Sequence, residues 1–175
     1  MKIALLSGAA RKESSTAKLM QFIAQTIRDH GHEADLFNLQ ATPVPFYSND
    51  EPSDHEQVIH LRNLLKEADA IVLGTPEYHG GMTGVLKNAL DFVSAEQFDS
   101  KAVLAVSSAG GAVGTSSLLQ IQAVVRNLHG INCPEWISIG GADQEFGPDG
   151  EPANDKVKQR VLRAVTYFLN MAQKL

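Results

Sequence analysis

The chain has 175 residues, enough for one domain with a sizeable core and too few for two, and its 43% hydrophobic and 20% charged content is that of an ordinary globular protein. A formal net charge of −5 sets the average surface field against the phosphates of a nucleic acid. No apolar run approaches the roughly 20 residues needed to cross a bilayer, and a first strand starting at Lys2 leaves no room for a signal peptide, so the expected place is the cytoplasm, with no membrane partner.

In chain order, Ile3 to Leu6 is a short apolar strand, broken by Ser7-Gly8-Ala9-Ala10-Arg11. Ser15 to His30 carries a helical stripe of Leu19, Phe22, Ile23 and Ile27, which Gly31 ends. Glu33 to Leu39 reads as a second strand. Residues 41–53 hold Pro43, Pro45 and Pro52 and form a surface loop. Asp54 is the expected cap of a helix with Val58, Ile59, Leu61, Leu64 and Leu65 on its apolar stripe. The third strand is Ala70 to Gly74, and Val85 to Phe92 follows as a helix. The fourth strand is Lys101 to Ser107. Thr115 to His129 is helical, with Gly130 at its end, and Ile131 to Ile139 is the fifth strand. That strand holds the lone Cys133, whose single thiol fits a reducing compartment, and Trp136 and Ile137, read as core or subunit contact. An acidic loop from Asp143 to Ala153 leads to a last helix opening at Asn154 or Asp155.

Strand and helix thus alternate five times, and each strand is nearly continuously apolar, as when helices cover both faces of a sheet. Right-handed crossovers make this an α/β, three-layer, doubly wound, five-stranded parallel sheet, with the flavodoxin-like order 2-1-3-4-5. In that order the loops after strands one, three and four share one ligand-binding edge. Those three loops carry the unusual residues of this chain.

The first, Ser7 to Thr16, opens a helix, and a helix N-terminus suits a phosphate. Ser14, Ser15 and Thr16 add hydroxyls, and Arg11 adds a planar charged fork. The competing reading is a serine-capped helix with a surface arginine. Neither G-x-G-x-x-G nor G-K-[ST] is present, which argues against a dinucleotide or ATP at this loop. The second loop, Thr75 to Gly84, joins Pro76, Glu77, Tyr78 and His79 to Gly80, Gly81 and Gly84, so bare backbone can meet a flat, polar-edged ring. A purely structural turn is the alternative. The third, Ser107 to Gly114, offers Ser107, Ser108 and the backbone of Gly110 and Gly111 opposite the second. His55, His60, His30 and His32 lack metal spacing, so no metal is expected. No G-x-S-x-G elbow or serine–histidine relay is evident.

Together these motifs resemble the NADPH-dependent FMN reductase family of flavodoxin-like flavoenzymes. The family's first loop reads roughly G-S-x-R-x-x-S-x-N, where this chain has Gly8-Ala9-Ala10-Arg11-Lys12-Glu13-Ser14-Ser15-Thr16. Its P-E-Y-N motif corresponds to Pro76-Glu77-Tyr78-His79, and G-x-L-K-N-A-L-D to Gly84 through Asp91. The form P-E-Y-H-x-G-M is most similar to the bacterial azoreductase and quinone reductase branch. Ala9 stands where the family has a hydroxyl, and His79 where it has asparagine. The resemblance implies that Arg11, Ser14, Ser15 and Thr16 hold the FMN phosphate. It implies that Pro76, Glu77, Tyr78, His79 and Gly80 line the isoalloxazine, and that Ser107, Gly110 and Gly111 close the other side. It further implies ping-pong hydride transfer from NADPH or NADH to FMN and on to a quinone, azo dye, free flavin or metal-ion acceptor. No catalytic side chain is demanded; Tyr78 and His79 are the candidates for donating a proton. A homodimer or homotetramer follows from the same resemblance, with Thr42 to Pro52 expected at the rim of the site or at the interface. The alternatives are a non-catalytic flavodoxin-type electron carrier, which Arg11 and the modest charge disfavour, and a flavin-free binding module.

Overall fold

A computed structural model describes residues 1–50 and 54–175; Pro52 lies outside the described residues. The elements are β1 (Lys2–Ser7), α1 (Ser15–Asp29), β2 (Glu33–Asn38), α2 (Glu56–Glu67), β3 (Ala70–Glu77), α3 (Gly84–Asp91), α4 (Ala95–Phe98), β4 (Ala102–Ala109), α5 (Thr115–Asn127), β5 (Ile131–Asn132), β6 (Ile137–Gly140) and α6 (Asp155–Ala172). A 3-10 turn, Gly141–Gln144, follows β6. All strand pairs are parallel and run β2-β1-β3-β4-β5, with β6 also on β4. The expected strand order holds.

Side chains alternate across the sheet. Ile3, Leu5, Val72, Leu104 and Val106 pack on the face covered by α1 and α6, against Leu19, Ile23, Val161 and Phe168. Ala4, Leu6, Ile71, Leu73 and Ala105 meet α2, α3 and α5 through Leu61, Leu65, Leu86, Leu118 and Ile121. Both faces are dry, which is why the strands lack polar alternation.

The fold departs from the sequence-based reading in five places. The fifth strand is split: β5 pairs with Ala102–Val103 and β6 with Val106–Ala109, with Pro134, which has no N–H for the ladder, in the gap. Trp136 therefore precedes β6 and is part-exposed, while Ile137 is core. Strands β3 and β4 run on together past Gly74 and Ser107, through the pairs Thr75–Ser107, Pro76–Ser108 and Glu77–Ala109. Pro76 is tolerated in a central strand because β1 has ended at Ser7, opposite Gly74. The helix α4 was not expected; Ser94 and Gln97 form a capping box at its start, and Phe98 is fully buried. Two helix ends also differ. His55, not Asp54, caps α2, through Nδ1 accepting from Gln57 N at 3.2 Å. At the end of α5, His129 takes the left-handed turn with φ 65°, and Gly130 serves close packing, since a Cβ there would stand 2.9 Å from Val125 Cγ1.

Candidate functional site

The three loops leave the carboxyl ends of β1, β3 and β4, which are neighbours in the sheet. Loop one is pinned at its start. Gly8 N donates to Gly74 O at 2.7 Å, and a Cβ on Gly8 would meet Leu86 Cβ at 2.6 Å. Only glycine lets β1 exit this close to α3. Thr83, buried at the N-cap of α3, ties the loops together: its hydroxyl donates to Gly8 O (2.8 Å) and accepts from Leu86 N (3.2 Å), and its N–H donates to Thr75 Oγ1 (3.0 Å). No sequence argument singled out Thr83, although threonine before a G-x-L-K-N-A-L-D helix is an N-cap signal.

Ser14 is the N-cap of α1; its Oγ accepts from Ala17 N, so the hydroxyl proton remains free to donate. Ser15 and Thr16, the first two helical residues, hold N–H groups that no carbonyl of the helix can take. Their hydroxyls are already engaged. Ser15 Oγ donates to Gln144 Oε1 at 2.6 Å, and Thr16 Oγ1 shares a 2.5 Å hydrogen bond with Ser108 Oγ. Gln144 Nε2 in turn donates to Ala109 O at 2.7 Å, so this residue of the 3-10 turn bridges loops one and three. Gln144 sits in a polar loop with no periodic signal, and sequence reasoning missed it. Arg11 is exposed and makes no hydrogen bond or ion pair among the described residues.

Loop two ends in a two-residue hairpin. Tyr78 and Gly81 exchange backbone hydrogen bonds of 3.0 Å each way, and the central residues His79 and Gly80 have φ of 53° and 73°. Two positive φ values mark the I′ turn, which asparagine-glycine fits best. The asparagine of the family motif and the histidine here therefore occupy a position whose first demand is left-handed backbone. Gln120 of α5 braces the hairpin, accepting from Met82 N at 3.0 Å and donating to Gly80 O at 3.3 Å.

Loop three is shaped by polar contacts beneath it. Ser107 Oγ donates to Gly114 O (2.7 Å), and Gly114 N donates to Ser138 Oγ (2.8 Å). Gly111 O rests on Gly140.

Between the loops lies a cleft of about 350 Å³. Arg11, Ser14 and Ser15 line one end, Pro76, Glu77, Tyr78 and His79 one wall, and Ser108, Ala109, Gly110 and Gln144 the other. Of the residues singled out from sequence, Thr16, Gly80, Gly81, Gly84, Ser107 and Gly111 do not line it. Thr16 and Ser107 are fully buried with their hydroxyls spent on Ser108 and Gly114, Gly80 is the outer hairpin corner, and Gly111 faces Gly140. Ser108 takes the place expected of Ser107, because neighbouring strand residues face opposite sides. Away from the cleft, Cys133 is buried, and burial pushes its thiol pKa up, the direction that disfavours the thiolate. Among the described residues there is no group of side chains able to hold a metal, and no helix is long and apolar enough to cross a membrane.

The family model for NADPH-dependent FMN reductases matches residues 1–144, which carry all three loops. The chain belongs to the NADPH-dependent FMN reductase family. As a member it is an FMN-dependent NAD(P)H oxidoreductase. An FMN-dependent NADPH-azoreductase of Staphylococcus aureus is 33% identical over 155 residues, covering 86% of this chain and 82% of that protein. Among solved structures, the flavoenzyme NAD(P)H:(acceptor) oxidoreductase FerB from Paracoccus denitrificans superposes with a TM-score of 0.82 at 20% identity, over 99% of this chain and 97% of that one. A flavodoxin from the domain Archaea superposes with a TM-score of 0.70 at 16% identity, over 99% of each chain. These two show the shared fold.

Proposed function

We propose that FMN binds in this cleft with its phosphate at the start of α1 and its ring between loops two and three. One observation carries the reading: three loops far apart in sequence converge on one cleft, with Arg11, Ser14 and Ser15 from loop one facing Pro76 to His79 from loop two and Ser108 to Gly110 from loop three. The residues fit the group. Arg11 is unpaired among the described residues, Ser14 keeps a free hydroxyl proton, and Ser15 and Thr16 offer N–H groups at the positive end of a helix dipole. At Gly110 an added Cβ would meet no atom of the described residues within 4 Å, and its φ is not left-handed. Among the described residues no atom requires glycine there, and the open space at Gly110, which lines the cleft, leaves room for a ring to approach the backbone.

Bound there, FMN supplies the two-electron relay between a nicotinamide donor and an acceptor. The chain's own contribution is position. Thr16, through Ser108, and Ser15, through Gln144, fix loop one against β4 and leave backbone N–H groups to the phosphate. Pro76 to His79 form a wall held rigid by the hairpin and Gln120. Tyr78 and His79 stand at the exposed rim, where a proton donor to a reduced acceptor would stand. The donor is NADPH or NADH and the acceptors are flat quinones, azo dyes, free flavin or metal ions, with both partners using one open face. The assembly is a homodimer or homotetramer working in the cytoplasm. The 93% exposure of Phe46 in the proline-rich segment, and the single thiol, support these two readings.

The test is an anaerobic titration of FMN-loaded protein with NADPH, followed by menadione and then by an azo dye. Bleaching of the visible flavin band and its return on adding acceptor support the function. Failure to retain FMN, or a spectrum unmoved by NADPH, removes it. Light scattering gives the solution mass.

A further inference from the structure

Helix α5 begins with no cap of its own: Gly114 occupies its N-cap and offers no side chain. The cap comes from 40 residues away. Glu77, the last residue of β3, places its Oε2 2.8 Å from Ser117 N, in the first turn of α5. The approach is close, because a Cβ on Gly114 would lie 3.3 Å from Glu77 Cβ. A carboxylate accepting from a first-turn N–H at the positive end of a helix is a charge-assisted bond.

We propose that Glu77 is a positioning residue: its carboxylate clasps the N-terminus of α5 to the end of β3, and so fixes the spacing between loops two and three across the cleft. Glu77 also lines the cleft, so a direct effect of its charge on a bound group is the rival explanation. Geometry separates the two. A clasp needs reach, whereas a field effect needs charge. Other contacts hold each loop in place, among them Ser107, Gly114 and Ser138 beneath loop three, Gln144 and Thr16 beside it, and Gln120 and Thr83 at loop two. The Glu77 bond joins the last residue of β3 to the helix that loop three leads into, beside Gly114 where that loop ends. The inference rests on the cleft being the FMN site, and one of its two readouts does not need FMN.

The experiment compares Glu77→Gln, Glu77→Asp and Glu77→Ala. The first readout is hydrogen exchange at the Ser117 amide in the FMN-free protein. A first-turn amide is exposed to exchange unless something outside the helix accepts from it. The clasp predicts protection in wild type, most of it kept in Glu77→Gln, and a loss of about tenfold or more in Glu77→Asp and Glu77→Ala. The second readout is FMN affinity by fluorescence quenching, predicted to fall in the order wild type, Gln, Asp, Ala, with Ala about tenfold weaker than wild type. A Ser117 amide unprotected in wild type, or equally protected in all four proteins, overturns the clasp. Protection lost without any change in FMN affinity overturns its positioning role. Affinity better kept by Asp than by Gln overturns it in favour of direct charge. Should Glu77→Ala fail to fold, the Gln and Asp pair decides the question. Should wild type bind no FMN, the site assignment fails and the exchange readout still decides the clasp.

Discussion

Gly140→Ala is the sharpest test of how loop three is built. Gly140 has φ −160° and ψ 164°, extended values that alanine adopts freely, so the backbone itself does not object. The obstacle is space. A Cβ would stand 2.0 Å from Gly111 O and 2.6 Å from both the carbonyl carbon and oxygen of Ala112. Ordinary contact begins at 3.4 Å, so Gly111 O must retreat by about 1.4 Å. These are backbone atoms, with no flexible side chain to swing away. Overpacking of this kind costs roughly 1–3 kcal/mol. The retreat also strains the Gly114 N–Ser138 Oγ bond, worth about 1 kcal/mol. A total of about 2–4 kcal/mol lowers the melting temperature of a domain of this size by roughly 5–15 °C. The assay is circular dichroism melting of FMN-free protein, with FMN affinity measured in parallel by fluorescence. Gly110→Ala is the control. Its Cβ meets no atom of the described residues within 4 Å, so its melting temperature stays within about 2 °C of wild type while FMN affinity falls about tenfold. If Gly140→Ala melts with wild type, loop three does not rest on β6 and the construction of that wall is wrong.

Substitutions at three further residues have defined outcomes. Thr83→Val removes the cap of α3 and orphans Gly8 O, so it costs about 2–3 kcal/mol in urea denaturation, while Thr83→Ser stays within about 1 kcal/mol. His79→Asn relieves left-handed strain at φ 53°, raising stability by about 0.5–1 kcal/mol in the same assay. His79→Val lowers it by a similar amount, because a β-branched residue resists positive φ. Arg11→Ala removes a charged fork from the phosphate end and weakens FMN binding by roughly 10–100-fold; unchanged affinity removes Arg11 from that role.

The sheet and its order were legible because burial on both faces forces unbroken apolar strands, and alternation with helices then leaves few topologies. The convergence of three loops followed from that order alone. Harder to read was which hydroxyl faces the cleft. Ser107 and Ser108 are adjacent, and only the register against β3, carried two residues past the expected end of β4, decides between them. Ser15 and Thr16 offer hydroxyls at the start of a helix, yet those hydroxyls are taken by Gln144 and Ser108, partners 129 and 92 residues away. No local pattern reports such distant pairings. His79 shows the opposite case. Tyr-His-Gly-Gly between a strand and a helix carried the I′ signal in plain view, but the motif drew attention to ring contacts before backbone.

The most direct measurement is a crystal structure of the FMN complex. The account predicts the phosphate within hydrogen-bond distance of Ser14 Oγ and of the N–H groups of Ser15 and Thr16, with the flavin ring between Pro76–His79 and Gly110. A flavin seated instead in the apolar groove formed by Val44, Phe46 and Val85, with the α1 N-terminus left to water, contradicts it.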